Sequence, residues 1–85
     1  MKYYACIYRY DWRGNYTPLI YKSEQAFNTP AEAFEHVKAR MVSNRRWTIR
    51  DRIFGAVECE DGTLLPMRAK MDYDKYELTE YKTTK

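Results

Sequence analysis

Side chains in residues 2–10 alternate in character along the chain, which is the period-two pattern of a β-strand. In such a strand Tyr3, Ala5, Ile7 and Arg9 share one face, and Tyr4, Cys6, Tyr8 and Tyr10 share the other. Gly14 and Asn15 favour a tight reversal, after which residues 16–22 resume the strand pattern. Pro18 lacks an N–H group, so we expect this second strand at a sheet edge, or Pro18 near its start. The two segments predict an antiparallel hairpin.

Residues 29–32 carry the signal of a helix start. Thr29 is a suitable N-cap, Pro30 suits the first helical position, and Glu32 completes a capping box. Apolar side chains then recur at helical spacing, which predicts a helix from Pro30 to about Asn44 with one stripe buried against the sheet. That stripe consists of Ala33, Phe34, Val37 and Met41.

Residues 53–60 and 63–69 predict a second hairpin. Residues 61–62 are Asp-Gly, the pair that a two-residue type I′ turn prefers, and such a turn places Cys59 opposite Leu64. In that register Val57, Cys59 and Leu64 share one side, and Phe54, Ala56, Leu65 and Met67 share the other. Because both sides are apolar, we expect the hairpin to lie centrally in the sheet or to be covered on both faces.

Residues 75–83 are rich in Tyr and Thr and predict a fifth strand, with a helix through residues 72–80 as the alternative. The predicted order is β-β-α-β-β with this C-terminal strand added. It describes one α+β domain over residues 1–85, an antiparallel sheet of four to five strands with one helix on one face, and residues 82–85 as a frayed end. The second face of the sheet is then solvated, bound to a partner, or closed by a dimer. We expect self-association through that face or through an edge strand, most simply as a two-fold homodimer.

Charge changes this picture because it is unevenly distributed. The formal net charge is only +3, but residues 38–52 contain six bases and one acid, whereas residues 72–80 contain four acids and one base. These blocks predict an anion-binding face and a separate acidic face. The alternative is that both blocks are solvated surface or pair with one another.

Candidate catalytic chemistry is sparse. His36, the one histidine, lies mid-helix, where such a residue is more often surface than a general base, and three glycines cannot build a phosphate loop. Cys6 and Cys59 are too far apart in sequence for a metal site, and we expect both to be reduced core side chains. We therefore expect that the protein is not an enzyme and binds no cofactor or metal ion. Because no apolar run approaches the length of a membrane span, we also expect no membrane partner and a cytoplasmic location.

The basic block interleaves guanidinium groups with an aromatic ring, which suits phosphates and unpaired bases. The predicted nucleic-acid-binding residues are Lys38, Arg40, Arg45, Arg46, Trp47, Arg50 and Arg52. Tyrosines of the first hairpin would extend a stacking surface, as on RNA-binding sheets, namely Tyr3, Tyr4, Tyr8, Tyr10 and Tyr16. The prediction is a non-catalytic protein that binds RNA or another single strand. The alternative is an inhibitor or adaptor that binds a protein directly.

In size, charge and tyrosine content, and in the helix start at residues 29–32 between two hairpins, the chain resembles compact early proteins of bacteriophages. These include anti-CRISPR proteins and TifA-like inhibitors of an RNA-processing toxin. The resemblance concerns the whole chain and no residue motif, so it assigns no site residue. It implies a counter-defence inhibitor in the host cytoplasm, which acts through RNA or, in the anti-CRISPR case, on a host protein.

Overall fold

Five strands and one helix make up the part of the chain that the computed structural model describes, residues 1–10, 16–43, 53–71 and 77–83. In chain order the elements are β1 (Tyr3–Tyr10), β2 (Tyr16–Lys22), α1 (Pro30–Ser43), β3 (Ile53–Cys59), β4 (Leu64–Met71) and β5 (Leu78–Lys82). The sheet order is β2-β1-β3-β4-β5, and all neighbours are antiparallel. This confirms the predicted α+β fold, the edge position of β2 and the C-terminal strand.

The start of α1 confirms Thr29 as the N-cap, but the Glu32 carboxylate bonds to the Thr29 hydroxyl and not to the backbone N–H that a capping box uses. The Thr29 hydroxyl accepts a hydrogen bond from the Glu32 N–H at 3.2 Å and donates one to Glu32 Oε1 at 3.1 Å. Pro30 opens the helix, which ends at Ser43. Its buried side chains are Ala33, Phe34, Val37 and Met41, the stripe that the helical spacing predicts.

The helix packs over β1 and β3, the middle of the sheet. Ala5 and Ile7 of β1 and Val57 of β3 are completely buried beneath it. Gly55 allows the close approach, because a Cβ there would lie 2.8 Å from the sulfur of Met41. Because α1 makes its main contacts with β1 and β3, it leaves the β4–β5 side of the sheet less covered.

The turn between β3 and β4 corrects the predicted type I′ geometry. Gly62 has a φ of 92° and donates its N–H to the Cys59 carbonyl at 2.9 Å, while Cys59 donates to the Thr63 carbonyl at 2.8 Å. The loop therefore contains three residues, 60–62, a length typical of a turn followed by a left-handed glycine. The prediction that Cys59 faces Leu64 was wrong, since Leu64 pairs with Glu58.

This extra loop residue changes the faces of β4. Ala69 pairs with Gly55 and Arg68 pairs with Ala56, with an irregularity in the ladder before Glu58. As a result Leu65 and Met67 pack with Val57 toward the helix, and the prediction that they share a side with Phe54 was wrong. The reason is geometric, because a one-residue shift in a strand moves every side chain to the opposite face.

Pairing between β4 and β5 continues to the end of the described chain. Lys82 pairs with Met67, and the Thr83 N–H donates to the Pro66 carbonyl at 2.9 Å. Residues 84–85 of the predicted frayed end lie outside the described residues. No helix within the described ranges has the length and apolar character needed to cross a bilayer.

Candidate nucleic-acid interface

The sheet face opposite α1, here called the open face, carries aromatic rings and cations together. Strand register places its side chains, because residues that pair across neighbouring strands point to the same face. They include Tyr4, Cys6, Tyr8, Lys22, Phe54, Ala56, Glu58, Arg68, Lys70 and Tyr81. The predicted division of β1 is confirmed, with Tyr4 and Tyr8 on this face and Ala5 and Ile7 toward the helix.

A ring stack marks the centre of the open face. Tyr8 and Phe54 lie on the neighbouring strands β1 and β3, with ring centroids 5.6 Å apart and planes inclined by 20°. The guanidinium carbon of Arg68 lies 5.8 Å from the centroid of Phe54. Arg68 donates to the carbonyls of Leu65 and Met67, so its position is set by backbone acceptors. The stack therefore has a positive charge fixed beside it.

Two further rings of the open face also have a cation nearby. Lys22 Nζ lies 4.6 Å from the ring centroid of Tyr4, and Lys70 Nζ lies 5.4 Å from that of Tyr81. Both distances are within the range of cation–π attraction. Tyr4 and Tyr81 are partly exposed. A flat ring with an ammonium group beside it can stack on a base and neutralise the adjoining phosphate.

Glu58 introduces one negative charge among these cations. Its carboxylate accepts a hydrogen bond from Lys22 Nζ at 2.8 Å and another from the Tyr8 hydroxyl at 3.2 Å. The hydrogen bond from Lys22 to Glu58 raises the pKa of Lys22. At this corner of the open face Lys22 is therefore partly neutralised by the protein itself.

Both cysteines are free and buried, which agrees with their prediction as core residues. Burial raises the pKa of the Cys6 thiol to about 11, and the negative charge of Glu58 acts in the same direction. Burial likewise raises the pKa of Cys59. Neither thiol has the low pKa of a reactive cysteine.

Native-state alkylation of Cys6 near pH 8 is expected to be roughly a hundredfold slower than in denaturant. A thiol with a pKa of about 11 is far less ionised there than a free thiol of pKa about 8.5. Because the folded thiol keeps its proton at higher pH than the unfolded one, stability should also fall above about pH 9. Mass-spectrometric labelling rates measure the first effect, and rapid native labelling would contradict it.

Lys38, a predicted phosphate ligand, is engaged within the protein. Its Nζ lies 2.8 Å from a Glu35 oxygen and 2.9 Å from a Glu80 oxygen, and 4.8 Å from the ring centroid of Phe34. Hydrogen bonds from these carboxylates, first Glu35 and then Glu80, raise the pKa of Lys38. The pair with Glu80 joins the basic block to the acidic block, as the alternative interpretation of the charge pattern expected.

Arg40 points elsewhere. Its guanidinium carbon lies 4.0 Å from the ring centroid of Tyr21 on β2, whereas Lys38 contacts Glu80 on β5. Because β2 and β5 are opposite edges of the sheet, the structure does not bring Lys38 and Arg40 together. The other predicted site residues, Arg45, Arg46, Trp47, Arg50 and Arg52, lie outside the described residues.

Sequence reasoning missed the cations of the open face. Arg68 and Lys70 stand two apart on β4, so they share a face, but the wrong register hid which rings they accompany. The sequence pattern placed Lys22 at the end of a strand and Tyr81 in a fifth strand, but it predicted no binding role for either residue. The usable signal was the alternation of cations and apolar residues along residues 67–71.

His36 contacts β2 and the loop that precedes the helix. Its Nε2 lies 3.0 Å from the Tyr21 hydroxyl oxygen, and its ring centroid lies 5.2 Å from that of Phe27. These contacts hold the helix against the β2 side of the sheet. The described residues contain no group of three His, Cys, Asp or Glu side chains that could hold a metal ion.

Comparison of the chain with protein-family models, curated proteins and solved structures gives no significant match.

Proposed function

We propose that the protein binds single-stranded RNA or DNA across the open face, without catalysis. The observation that carries this proposal is the pairing of rings with cations, since Tyr4 and Tyr81 are partly exposed and each has a lysine Nζ within cation–π distance. Base stacking on aromatic side chains is sequence-tolerant, and adjacent cations neutralise the backbone. The half-buried ring of Tyr8 is held in place within this surface because it stacks on the buried ring of Phe54.

The spacing of the rings suits a short stretch of extended strand. Tyr4 and Tyr8 are four residues apart on β1, or about 13 Å at the usual rise of a β-strand. Tyr81 on β5 is three strands from β1, or about 14 Å across the sheet. These separations allow several bases to contact different rings, as aromatic residues do on other RNA-binding sheets.

The basic segment of residues 45–52 is the second part of the proposal. It directly precedes β3 in the chain, the strand that carries Phe54. We propose that Arg45, Arg46, Arg50 and Arg52 bind phosphates and that Trp47 stacks on a base. Lys38 is excluded from this set by its two carboxylate partners.

Tyr4→Ala is expected to weaken binding of a short labelled oligouridine by roughly 1–3 kcal/mol with an unchanged salt slope, because it removes stacking and no charge. Lys70→Gln is expected to reduce the salt slope by about 0.7, the counterion release for one phosphate of a single strand. Fluorescence anisotropy over a salt series measures both. Lys2→Gln is the matched control, since the Lys2 Nζ donates a hydrogen bond to the side chain of Asn28.

Glu58→Gln should change affinity in the opposite direction. It removes the carboxylate charge that pairs with Lys22, while the amide oxygen still accepts from Tyr8. Tighter binding by this variant would show that the open face itself contacts the oligonucleotide, independently of any contact made by residues 45–52. Weakened binding to all sequences alike by the Arg45→Glu, Arg46→Glu double variant would support phosphate contacts by that segment.

Two results would oppose the proposal. No oligonucleotide binding near physiological salt would remove it. A partner complex that survives nuclease treatment would favour the alternative, direct binding to a protein. An apolar cleft of about 560 Å³ between α1 and the β4–β5 edge supports that alternative, because such a cleft could receive an apolar side chain of a partner. Phe34 and Met67 lie in its wall. A counter-defence role, as the bacteriophage resemblance implies, stays a prediction.

A further inference from the structure

The two edges of the sheet differ in their capacity to accept another strand. The strand order ends in β2 on one side and β5 on the other. β2 contains Pro18, which has no N–H group to donate. β5 has no proline, and within the described residues its outer side pairs with no other strand. The β5 edge is therefore the better template for pairing.

The hydrogen bonds of β4 and β5 define which backbone groups of β5 face outward. The Thr83 N–H donates to the Pro66 carbonyl, and two residues earlier Tyr81 pairs with Arg68. Hydrogen-bonded positions alternate along an antiparallel strand, so the backbone N–H and C=O groups of the odd-numbered residues of β5 point toward β4. Glu80 and Lys82 consequently direct their N–H and C=O groups outward.

A two-fold axis at Tyr81 makes this edge complementary to itself. In that register Glu80 lies opposite Lys82 of a second copy, and Lys82 opposite Glu80 of that copy. Both are positions whose backbone groups face outward, so each pair exchanges two hydrogen bonds. Thr79 faces Thr83 of the other copy, and Tyr81 faces its own equivalent. Opposite charges, Thr–Thr pairs and aromatic pairs are all favourable across strands.

Two charged side chains, those of Lys82 and Glu80, are accessible at this edge. Lys82 is exposed and forms no ion pair with another described residue. Glu80 is bound on one side by Lys38 at 2.9 Å and remains more than half exposed, at 58% of its side chain. A second lysine can therefore approach its carboxylate from the outer edge.

We propose that the chain forms a two-fold homodimer by antiparallel pairing of β5 with β5 of a second copy, centred on Tyr81. The two sheets become one, and the two open faces become a continuous surface with a pair of Tyr81 rings at the seam. Both helices then lie on the opposite side. This inference does not rest on nucleic-acid binding, because it follows from backbone pairing and charge alone.

Charge reversal tests the pairing. Lys82→Glu places Glu opposite Glu80 at both symmetric positions, and Glu80→Lys places Lys opposite Lys82 at both. Each variant alone is expected to raise the dimer dissociation constant about tenfold or more. An equimolar mixture of the two restores opposite charges at both positions and is expected to form a heterodimer. Native mass spectrometry and sedimentation velocity measure these species, with Lys2→Glu as a control of equal charge change away from the edge.

Cross-linking tests the register. Tyr81→Cys places two thiols at a directly facing, non-hydrogen-bonded position, where antiparallel Cα atoms are about 4.5 Å apart and a disulfide can form. Thr79→Cys places its two thiols four residues apart on the facing strands and is expected not to cross-link. The parent chain, whose own cysteines are buried, controls for background oxidation.

The outcomes are distinguishable. A monomer at high micromolar concentration overturns the proposal, as does a dimer that both charge reversals leave intact. Equal cross-linking of Thr79→Cys and Tyr81→Cys overturns the register. A heterodimer in the mixture supports it and shows that both variants are folded. A homodimer that binds no oligonucleotide would leave this inference standing while removing the proposed function.

Discussion

Phe54→Ala is expected to lower the free energy of unfolding by about 3–5 kcal/mol, the usual cost of removing a buried aromatic ring. Phe54 is only 2% exposed and is one of the largest fully buried side chains. It lies on the open face, on the side of the sheet opposite α1, where the ring of Tyr8 and the guanidinium of Arg68 pack beside it. Chemical denaturation monitored by tyrosine and tryptophan fluorescence measures the change.

Two variants make this measurement specific. Phe54→Leu keeps most of the apolar volume, and its loss should be nearer 1 kcal/mol. Val42→Ala truncates a side chain that is 42% exposed on the helix and should change stability by at most about 0.5 kcal/mol. A loss below about 1 kcal/mol for Phe54→Ala would show that the ring stack does not belong to the folded core. Such a result would also weaken the case for a rigid binding face.

Gly55→Ala is expected to destabilise the domain by about 1–3 kcal/mol, although alanine ordinarily suits a strand better than glycine. Its Cβ would lie 2.8 Å from the Met41 sulfur and 3.0 Å from Cγ2 of Val37, and both of those side chains are completely buried. Met41 is flexible and can move, but the branched Val37 is stiff. The helix must therefore shift away from β3 or the core must distort.

A double-mutant cycle with Val37→Ala identifies the cause. Val37→Ala alone leaves a cavity under the helix, but in the double variant the new methyl group occupies part of that space. The two losses should therefore sum to more than the loss measured for the double variant. Strict additivity, or a stabilising Gly55→Ala, would mean that the close approach of α1 to β3 is not maintained in solution.

Local chemistry was sufficient for the helix and for the approximate positions of the strands. The cap at Thr29 and the apolar stripe through Phe34 and Val37 act within a few residues, so α1 was predicted almost to the residue. The alternation in residues 2–10 likewise assigned both faces of β1, because strand geometry allows only one such assignment. The same patterns predicted an edge position for β2, since Pro18 cannot donate to a neighbour.

Tertiary structure alone decided the register and therefore the site. An Asp-Gly pair suits a two-residue turn and also a three-residue turn with a left-handed glycine, and the sequence does not distinguish them. The choice moved Arg68 onto the open face beside Phe54 and moved Met67 toward the helix. The stack of Tyr8 on Phe54 joins strands 46 residues apart in sequence, a contact that no local pattern encodes.

The sequence by itself thus determined the helix and its apolar stripe, the first four strands and their order, because each depends on interactions between near neighbours. For the C-terminal segment it left a helix as the alternative to the fifth strand that the structure contains. It also showed that basic and acidic residues are segregated, but not where their side chains point. Strand order and packing decided that Lys38 turns to Glu80, that Arg40 turns to Tyr21, and that the cations of the open face meet its rings. These contacts depend on the pairing of distant strands, whose free energy is shared across the whole sheet.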